Sequence, residues 1–499
     1  MSQSFGKKIN SQKSKKTLFL EFPIFLPGLN GSTNFLTRRI YFMKKMTVLK
    51  KDSHSINLLY RALTGEKKVL LESYDNNTSK GRFSIIARNP LHELKVYQKN
   101  FYFDGVKSVE ADPLAKIQHF ISRNHGENQL VLPFQGGGIG YVGYDTLAIY
   151  ENLGPLPPET RDIPDCCFYI YESFMIFDHQ KKQLTLVEDN TYSGRSAEQL
   201  TNDLAKVKKE ISLFLRQDNP KKATQKFNLD YQSNLDKETF INLVNQAKRK
   251  IHEGDCFQIV LSQRLTAPFT GDSFSYYEEL RLLNKTPYLY YLDFGETKII
   301  GSSPESLVKV EGQLVTTNPI AGTRKRGKTS GEDEYLANEL LRDEKELAEH
   351  RMLVDLGRND IGKVAEIGSV SVPVYLTIER FRYVMHIVSV VSGKLKTNLT
   401  ALDALKSVLP AGTVSGAPKL RAMERIYQWE NVRRGIYGGA VGYLSNNGDC
   451  DFALAIRTMI LHKEQAYVQA GAGIVFDSVP ESEYLETLQK AKALLEVGK

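Results

Sequence analysis

Apolar and polar positions alternate in short runs over the first half of the chain. Residues 69–73 (VLLES), 82–87 (RFSIIA), 92–105 (HELKVYQKNFYFDG), 129–145 (QLVLPFQGGGIGYVGYD), 166–179 (CCFYIYESFMIFDH) and 182–189 (KQLTLVED) read as strands. The breaks at Asp104 and Gly105 and at 179–182 predict antiparallel hairpins. Residues 196–215 carry an amphipathic helical pattern. A second helix is predicted over 237–254, where Phe240, Leu243, Val244, Ala247 and Ile251 share one face and Gly254 ends the run. Further strand patterns follow at 256–267, 287–295, 298–323, 390–395, 438–445, 451–462 and 465–476. Strand-turn-strand runs with helices inserted late predict an α+β fold on large antiparallel sheets, not a doubly wound one.

Residues 335–360 (YLANELLRDEKELAEHRMLVDLGRND) hold Leu336, Leu340, Leu341, Leu347 and Ala348 at helical spacing, with no Pro or Gly before Gly357. The pattern predicts one long helix, on which Glu346 and Glu349 share a face. A second acidic pair, Glu483 and Glu486, opens another predicted helix, with Pro480 before it and Ser482 as its cap. One ExxE pair is an ordinary solvated helix face. Two pairs on two helices could enclose a hard cation, and Mg2+ favours oxygen ligands while keeping water and substrate oxygens in its shell.

The net charge of +8 is concentrated at one end: residues 1–50 hold ten Lys and Arg against one acid, Glu21, so the rest of the chain is close to neutral. A basic stripe interleaved with aromatics is missing there, which argues against a nucleic-acid partner. No apolar run is long enough to span a membrane. The four cysteines, Cys166, Cys167, Cys256 and Cys450, have neither CxxC spacing nor scaffold density and fit a reducing, cytoplasmic setting. The organisation expected is a basic, disordered or non-native extension over 1–45, an N-terminal region over 46–215, a polar linker over 216–234 and a catalytic region over 235–499.

Several stretches, taken together and in order, resemble the chorismate-utilising enzymes, and within them the anthranilate-forming branch. They are LLES (70–73), PFQGGGIGYVGYD (133–145), FQIVLSQR (257–264), GSSPE (301–305), PIAGTRKRG (319–327), AEHRMLVDLGRND (348–360), MHIVSVVSG (385–393), SGAPK (415–419), IYGGAVGY (436–443), AIRT (455–458) and QAGAGIVFDSVPESE (469–483). Each is weak alone; the series covers residues 57–497. The resemblance implies a two-part α/β sandwich of large antiparallel sheets with helices packed outside, and a site in a cleft of the C-terminal portion.

It also implies roles. Mg2+ would be held through Glu349 and Glu486, supported by Glu346 and Glu483, with these inner and outer roles exchangeable. Arg457 would grip a substrate carboxylate with its planar fork. Gly322, Thr323, Tyr437 and the backbone of Gly471, Ala472 and Gly473 would contact substrate. His386, in an apolar strand-like run where a histidine is ordinarily a core residue, would act as general acid or base, with Glu349 and Thr323 also counted among the catalytic groups. Ala321 stands where aminodeoxychorismate-forming relatives carry a nucleophilic lysine, and Gln258 where water-adding relatives carry a lysine base; both favour ammonia as nucleophile. Without a glutaminase segment of its own, the chain is expected to take ammonia from a glutamine amidotransferase subunit, in a heterodimer or heterotetramer. Ser73, Pro287, Tyr288 and Leu289 match a tryptophan-inhibitor pocket, and Glu72 and Ser73, if buried, would need polar partners that such a ligand could supply. The alternatives are an aminodeoxychorismate-forming enzyme, a silent regulatory paralogue, and a phosphate-binding protein suggested by QGGGIGYVG, which lacks a GK[ST] ending.

Overall fold

The computed structural model of the chain describes residues 21–22, 42–50, 56–73, 82–123, 132–214, 225–381 and 384–498. Most of the expected extension, residues 1–20 and 23–41, and the first part of the expected linker, 216–224, lie outside the described residues. The last residues assigned to the extension, 42–45, belong to a strand, Phe42–Lys50, that runs on into the N-terminal region and is paired antiparallel with Gln183–Asp189. From the other end of the linker, Phe227 is buried against Phe269 and Tyr276, and Gln232–Ser233 pairs with the strand Gln258–Pro268.

Among the described residues the strands form two antiparallel sheets of 13 and 12 strands. Each sheet draws strands from both sides of residues 216–234. In the first, Val69–Glu72 pairs with Tyr288–Asp293; in the second, Gly137–Val142 pairs with Ala440–Ser445. The sheets face each other across a shared core in which Ile139, Tyr141 and Tyr443 of the second pack with Ile85, Ile176 and Tyr290 of the first. The helices lie outside this sandwich. No described helix is long and apolar enough to cross a membrane.

The glycines of 136–140 serve strand packing. Gly140 sits opposite Gly442, and a Cβ on it would come within 2.0 Å of the Cys167 carbonyl oxygen. Phosphate cradling is therefore not their role.

The long helix expected over 335–360 is instead two helices, Ser330–Leu340 and Glu344–Val364. Asp343 ends the continuity, because its carboxylate accepts from the amides of Lys345 and Glu346 and so starts a new helix. Glu346 consequently lies in a first turn, where a negative charge meets the positive end of the helix dipole. The C-terminal helix runs Pro480–Leu495 with Val479 at its N-cap and no side-chain cap. Ser482, expected as the cap, lies inside it: a proline lacks the amide hydrogen and suits the first turn itself, which moves the boundary upstream.

Candidate active site

Two crossings between the sheets stand side by side. After Thr297–Ser303 in the first sheet, residues 304–305 carry the chain to Ser306–Glu311 in the second; after Cys450–Leu454 in the second, residues 455–457 return it to Thr458–His462 in the first. The Leu454 amide donates to the Glu305 carbonyl at 3.0 Å and the Ser302 amide to that of Arg457 at 3.1 Å. Both crossings face a cavity of about 690 Å³.

The two acidic pairs meet across this cavity, Glu346 and Glu349 from Glu344–Val364 and Glu483 and Glu486 from Pro480–Leu495. Burial raises the Glu349 carboxyl, and the charges of Glu346 and Glu486 add to the shift. Burial, with Glu486 adding, likewise raises Glu483. Two cations relieve the crowding in part: Arg324 lies 3.3 Å from Glu346, and Lys490 lies 2.7 Å from Glu486. Among the described residues no three His, Cys, Asp or Glu groups close on a common point. A set of hard oxygen donors that penalises its own negative charge, without a complete protein cage, suits a cation that keeps water and substrate oxygens in its shell.

His386 sits on the strand Val384–Lys394, between Ile320–Lys325 and Ser371–Arg380, directly opposite Thr323 and Glu379. Its Nδ1 is 3.0 Å from the Gly322 carbonyl oxygen and 3.0 Å from Thr323 Oγ1. A carbonyl only accepts, so this contact assigns the proton to Nδ1 and leaves the Nε2 lone pair free. Burial lowers the imidazole pKa, which keeps the ring neutral near pH 7. Gly322 has φ +73°, and a Cβ there would meet Leu340 at 3.1 Å and Glu346 Oε2 at 3.2 Å, so only glycine lets this strand approach the acidic helix.

Arg457 lines the cavity from the second crossing. Its φ of +51° is left-handed, an unfavourable conformation for a residue with a Cβ, and such strain concentrates at functional positions. Tyr437, Gly471 and Gly473 complete the wall, and a Cβ on Gly471 would come within 2.9 Å of the Tyr437 hydroxyl. Ala472 turns its methyl to the opposite face, into the core with Ile259 and Ile474, so only its backbone is available on this side.

Two cavity residues escaped the sequence reading. Glu305 is half-buried in the cavity wall, its carboxyl is pushed up by burial to about 7, and Thr413 Oγ1 donates to it at 3.0 Å. Its only signal was a lone acid closing the motif GSSPE at a strand end. Lys490 bonds the Gly471 carbonyl at 3.0 Å as well as Glu486; its position four residues after Glu486 was the available hint. Ala321 and Gln258 also line the cavity.

Ser73, Pro287, Tyr288 and Leu289 line a second cavity, of about 600 Å³. Tyr288 donates to Asp451 at 2.9 Å, and burial pushes the Asp451 carboxyl up to about 6. Glu72 needs no external partner: it accepts from Tyr277 at 2.6 Å and from Arg281 at 2.8 and 3.1 Å. This carboxylate therefore does not depend on a ligand for its hydrogen bonds.

The chorismate binding enzyme family model matches residues 67–496. The chain is 49% identical over 463 residues to anthranilate synthase component 1 of Lactococcus lactis, covering 91% of this chain and 100% of that one. It is 40% identical to the Bacillus subtilis protein of the same name, over 87% of each chain. The crystal structure of anthranilate synthase component I from Streptococcus pneumoniae superposes with a TM-score of 0.78 at 47% identity, covering 90% of this chain and 98% of that one. The menaquinone-specific isochorismate synthase of Escherichia coli, at 19% identity and a TM-score of 0.69, shares the fold over 91% of this chain and 95% of its own. With the family model running through both sheets and both acidic helices, the chain belongs to the chorismate binding enzymes.

Proposed function

We propose that this chain is the chorismate-converting component of an anthranilate synthase. It would join chorismate and ammonia to give anthranilate, pyruvate and water. The observation carrying this reading is the meeting of four carboxylates, His386, Arg457 and Tyr437, from distant parts of the sequence, at one cavity that also contains Ala321 and Gln258. Alanine cannot attack the ring, and a glutamine amide cannot deprotonate water near pH 7, so neither a lysine adduct nor lysine-assisted hydration has its residue here.

Chorismate brings two carboxylates, a ring hydroxyl that must leave and an enolpyruvyl ether. Arg457 would hold the side-chain carboxylate by paired hydrogen bonds, with Tyr437 beside it. Glu349 and Glu486 would hold Mg2+, which when bound supplies a template and a Lewis acid for the ring carboxylate. Glu346, tied to Arg324, and Glu483 would stand behind them. Glu305, half-protonated near neutrality, can give a proton to the departing hydroxyl as ammonia adds. Neutral His386 then offers Nε2 to take the ring proton as pyruvate leaves and the ring becomes aromatic. Thr323 and the Gly322 carbonyl keep that imidazole in one tautomer.

Ammonia would come from a glutamine amidotransferase partner. The four cysteines are buried, and burial raises every thiol, Cys256 to about 11 and Cys166 to about 12, so none is suited to attack glutamine. The second cavity would take tryptophan as a feedback inhibitor, with Ser73, Pro287, Tyr288 and Leu289 in its wall.

The test is fluorescence of anthranilate from the purified chain given chorismate, Mg2+ and excess ammonium at mildly alkaline pH, with an EDTA control. Metal-dependent anthranilate formation is the expected result. Turnover of chorismate to another product would overturn the reading.

A further inference from the structure

Arg434 is the largest fully buried side chain among the described residues, 1% exposed, and none of the roles above uses it. Its guanidinium forks onto Glu430, Nε to Oε2 at 2.8 Å and Nη2 to Oε1 at 2.6 Å. The remaining donors reach main-chain carbonyls, Nη2 to Val260 at 2.7 Å and Nη1 to Val414. Glu430 Oε1 also accepts from the amide and the hydroxyl of Ser262, at 2.8 and 2.9 Å, and Ser262 Oγ accepts from Gln469 Nε2 at 2.8 Å.

Every segment gripped in this way is cavity wall. Val260 and Ser262 lie opposite Gly473 and Gly471 in the strand pair Gln258–Pro268 and Gln465–Ile474. Val414 follows Thr413, which holds Glu305. Three residues beyond Arg434, Tyr437 turns back so that its ring centroid lies 5.7 Å from the guanidinium carbon, which is also 4.6 Å from the Tyr144 ring. Buried ion pairs contribute little to net stability compared with apolar residues of similar volume, because desolvation offsets the attraction. The geometric effect of this pair is larger: one planar cation fixes the register of the wall and stands beneath the ring of a residue facing the substrate space.

We propose that Arg434, oriented by Glu430, is a positioning residue for chorismate capture, holding the Tyr437 ring against the Gly471 backbone so that its hydroxyl meets the substrate. This rests on the assignment of Tyr437 to the chorismate-binding wall. Lysine in place of Arg434 keeps the charge and loses the fork, so the ring loses its fixed seat while the core stays charged.

The test is a double-mutant cycle on the full chain with saturating Mg2+ and ammonium, reading KM and kcat for chorismate separately. Tyr437→Phe alone should raise KM about tenfold, as expected for one lost hydrogen bond to a charged group. Arg434→Lys alone should raise KM comparably, with kcat changing less. In the Arg434→Lys background, Tyr437→Phe should raise KM by less than about twofold, because the contact it removes is already lost. Multiplying effects would overturn the proposal and leave Arg434 a general structural residue. If Arg434→Lys does not fold, Glu430→Gln, which conserves shape and releases the fork, takes its place in the cycle under the same criterion. A Tyr437→Phe variant with unchanged KM would instead remove Tyr437 from the binding wall, and a wild-type chain that does not convert chorismate would overturn the proposed function itself; both outcomes are separable from failure of the coupling.

Discussion

Thr413 Oγ1 donates a 3.0 Å hydrogen bond to Glu305 Oε1 in the wall of the cavity that holds the two acidic pairs. Burial raises this carboxyl from 4.5 to about 7, and the threonine bond opposes the rise because it favours the ionised form. The rate per free ammonia should therefore fall as pH rises through about 7 in the free enzyme, as the proton donor is lost. Replacing Thr413 with Val should move that limb to higher pH. Glu305→Gln should remove it and slow turnover by about 10² or more, measured as kcat/KM against pH.

The same group links pH to stability. The folded chain binds the Glu305 proton more tightly than the unfolded chain, so this contribution to stability is full at acid pH and is lost as pH rises from about 4.5 toward 7. Glu305→Gln should flatten the dependence of the unfolding midpoint on pH within that window.

Glu349 and Glu486 are predicted to govern metal affinity. Either one changed to Gln should raise the Mg2+ concentration for half-maximal activity by more than Glu346→Gln, whose effect should fall within about 10–100-fold because Arg324 already shares that carboxylate. Competition of Mg2+ with bound Mn2+, followed by electron paramagnetic resonance, measures this without turnover.

Lys419 Nζ lies 2.6 Å from Asp360 Oδ2 and 3.0 Å from the Val408 carbonyl, with both partners buried. The pair ties the far end of the acidic helix to Lys419–Trp429. Lys419→Met should lower stability by about 3 kcal/mol, because Asp360 is left buried with only Lys363 near it, and Asp360→Leu in the same chain should restore much of the loss. Denaturant unfolding of the two variants decides.

Tryptophan should inhibit the chain by way of the second cavity. Ser73→Phe, which fills part of that space, should abolish inhibition at tryptophan concentrations that silence the wild type, as read from initial rates at fixed chorismate.

Much of the site was legible because the motifs around Glu349, His386, Arg457 and Gly471 carry distinctive residue types in a fixed order. What the sequence hid was tertiary in origin. The helix break at Asp343 depends on a side chain capping its own backbone, inside a stretch whose apolar spacing is equally good for one helix. Glu305 looked like a strand-end acid, since its importance comes from its place in a cavity wall built by two chain crossings far apart in sequence. Glu72 misled in the other direction: a buried carboxylate suggests a missing partner, but Arg281 and Tyr277, more than two hundred residues away, already supply it. The mixing of strands from both halves within each sheet was equally invisible, since pairing partners such as Val69–Glu72 and Tyr288–Asp293 bear no local mark of each other.

The most direct measurement follows isotopically heavy ammonium and chorismate through the purified chain with Mg2+, identifying products by mass spectrometry and quantifying pyruvate. The account predicts anthranilate carrying one heavy nitrogen and an equal amount of pyruvate. Aminodeoxychorismate accumulating without pyruvate, or isochorismate without nitrogen, would contradict it.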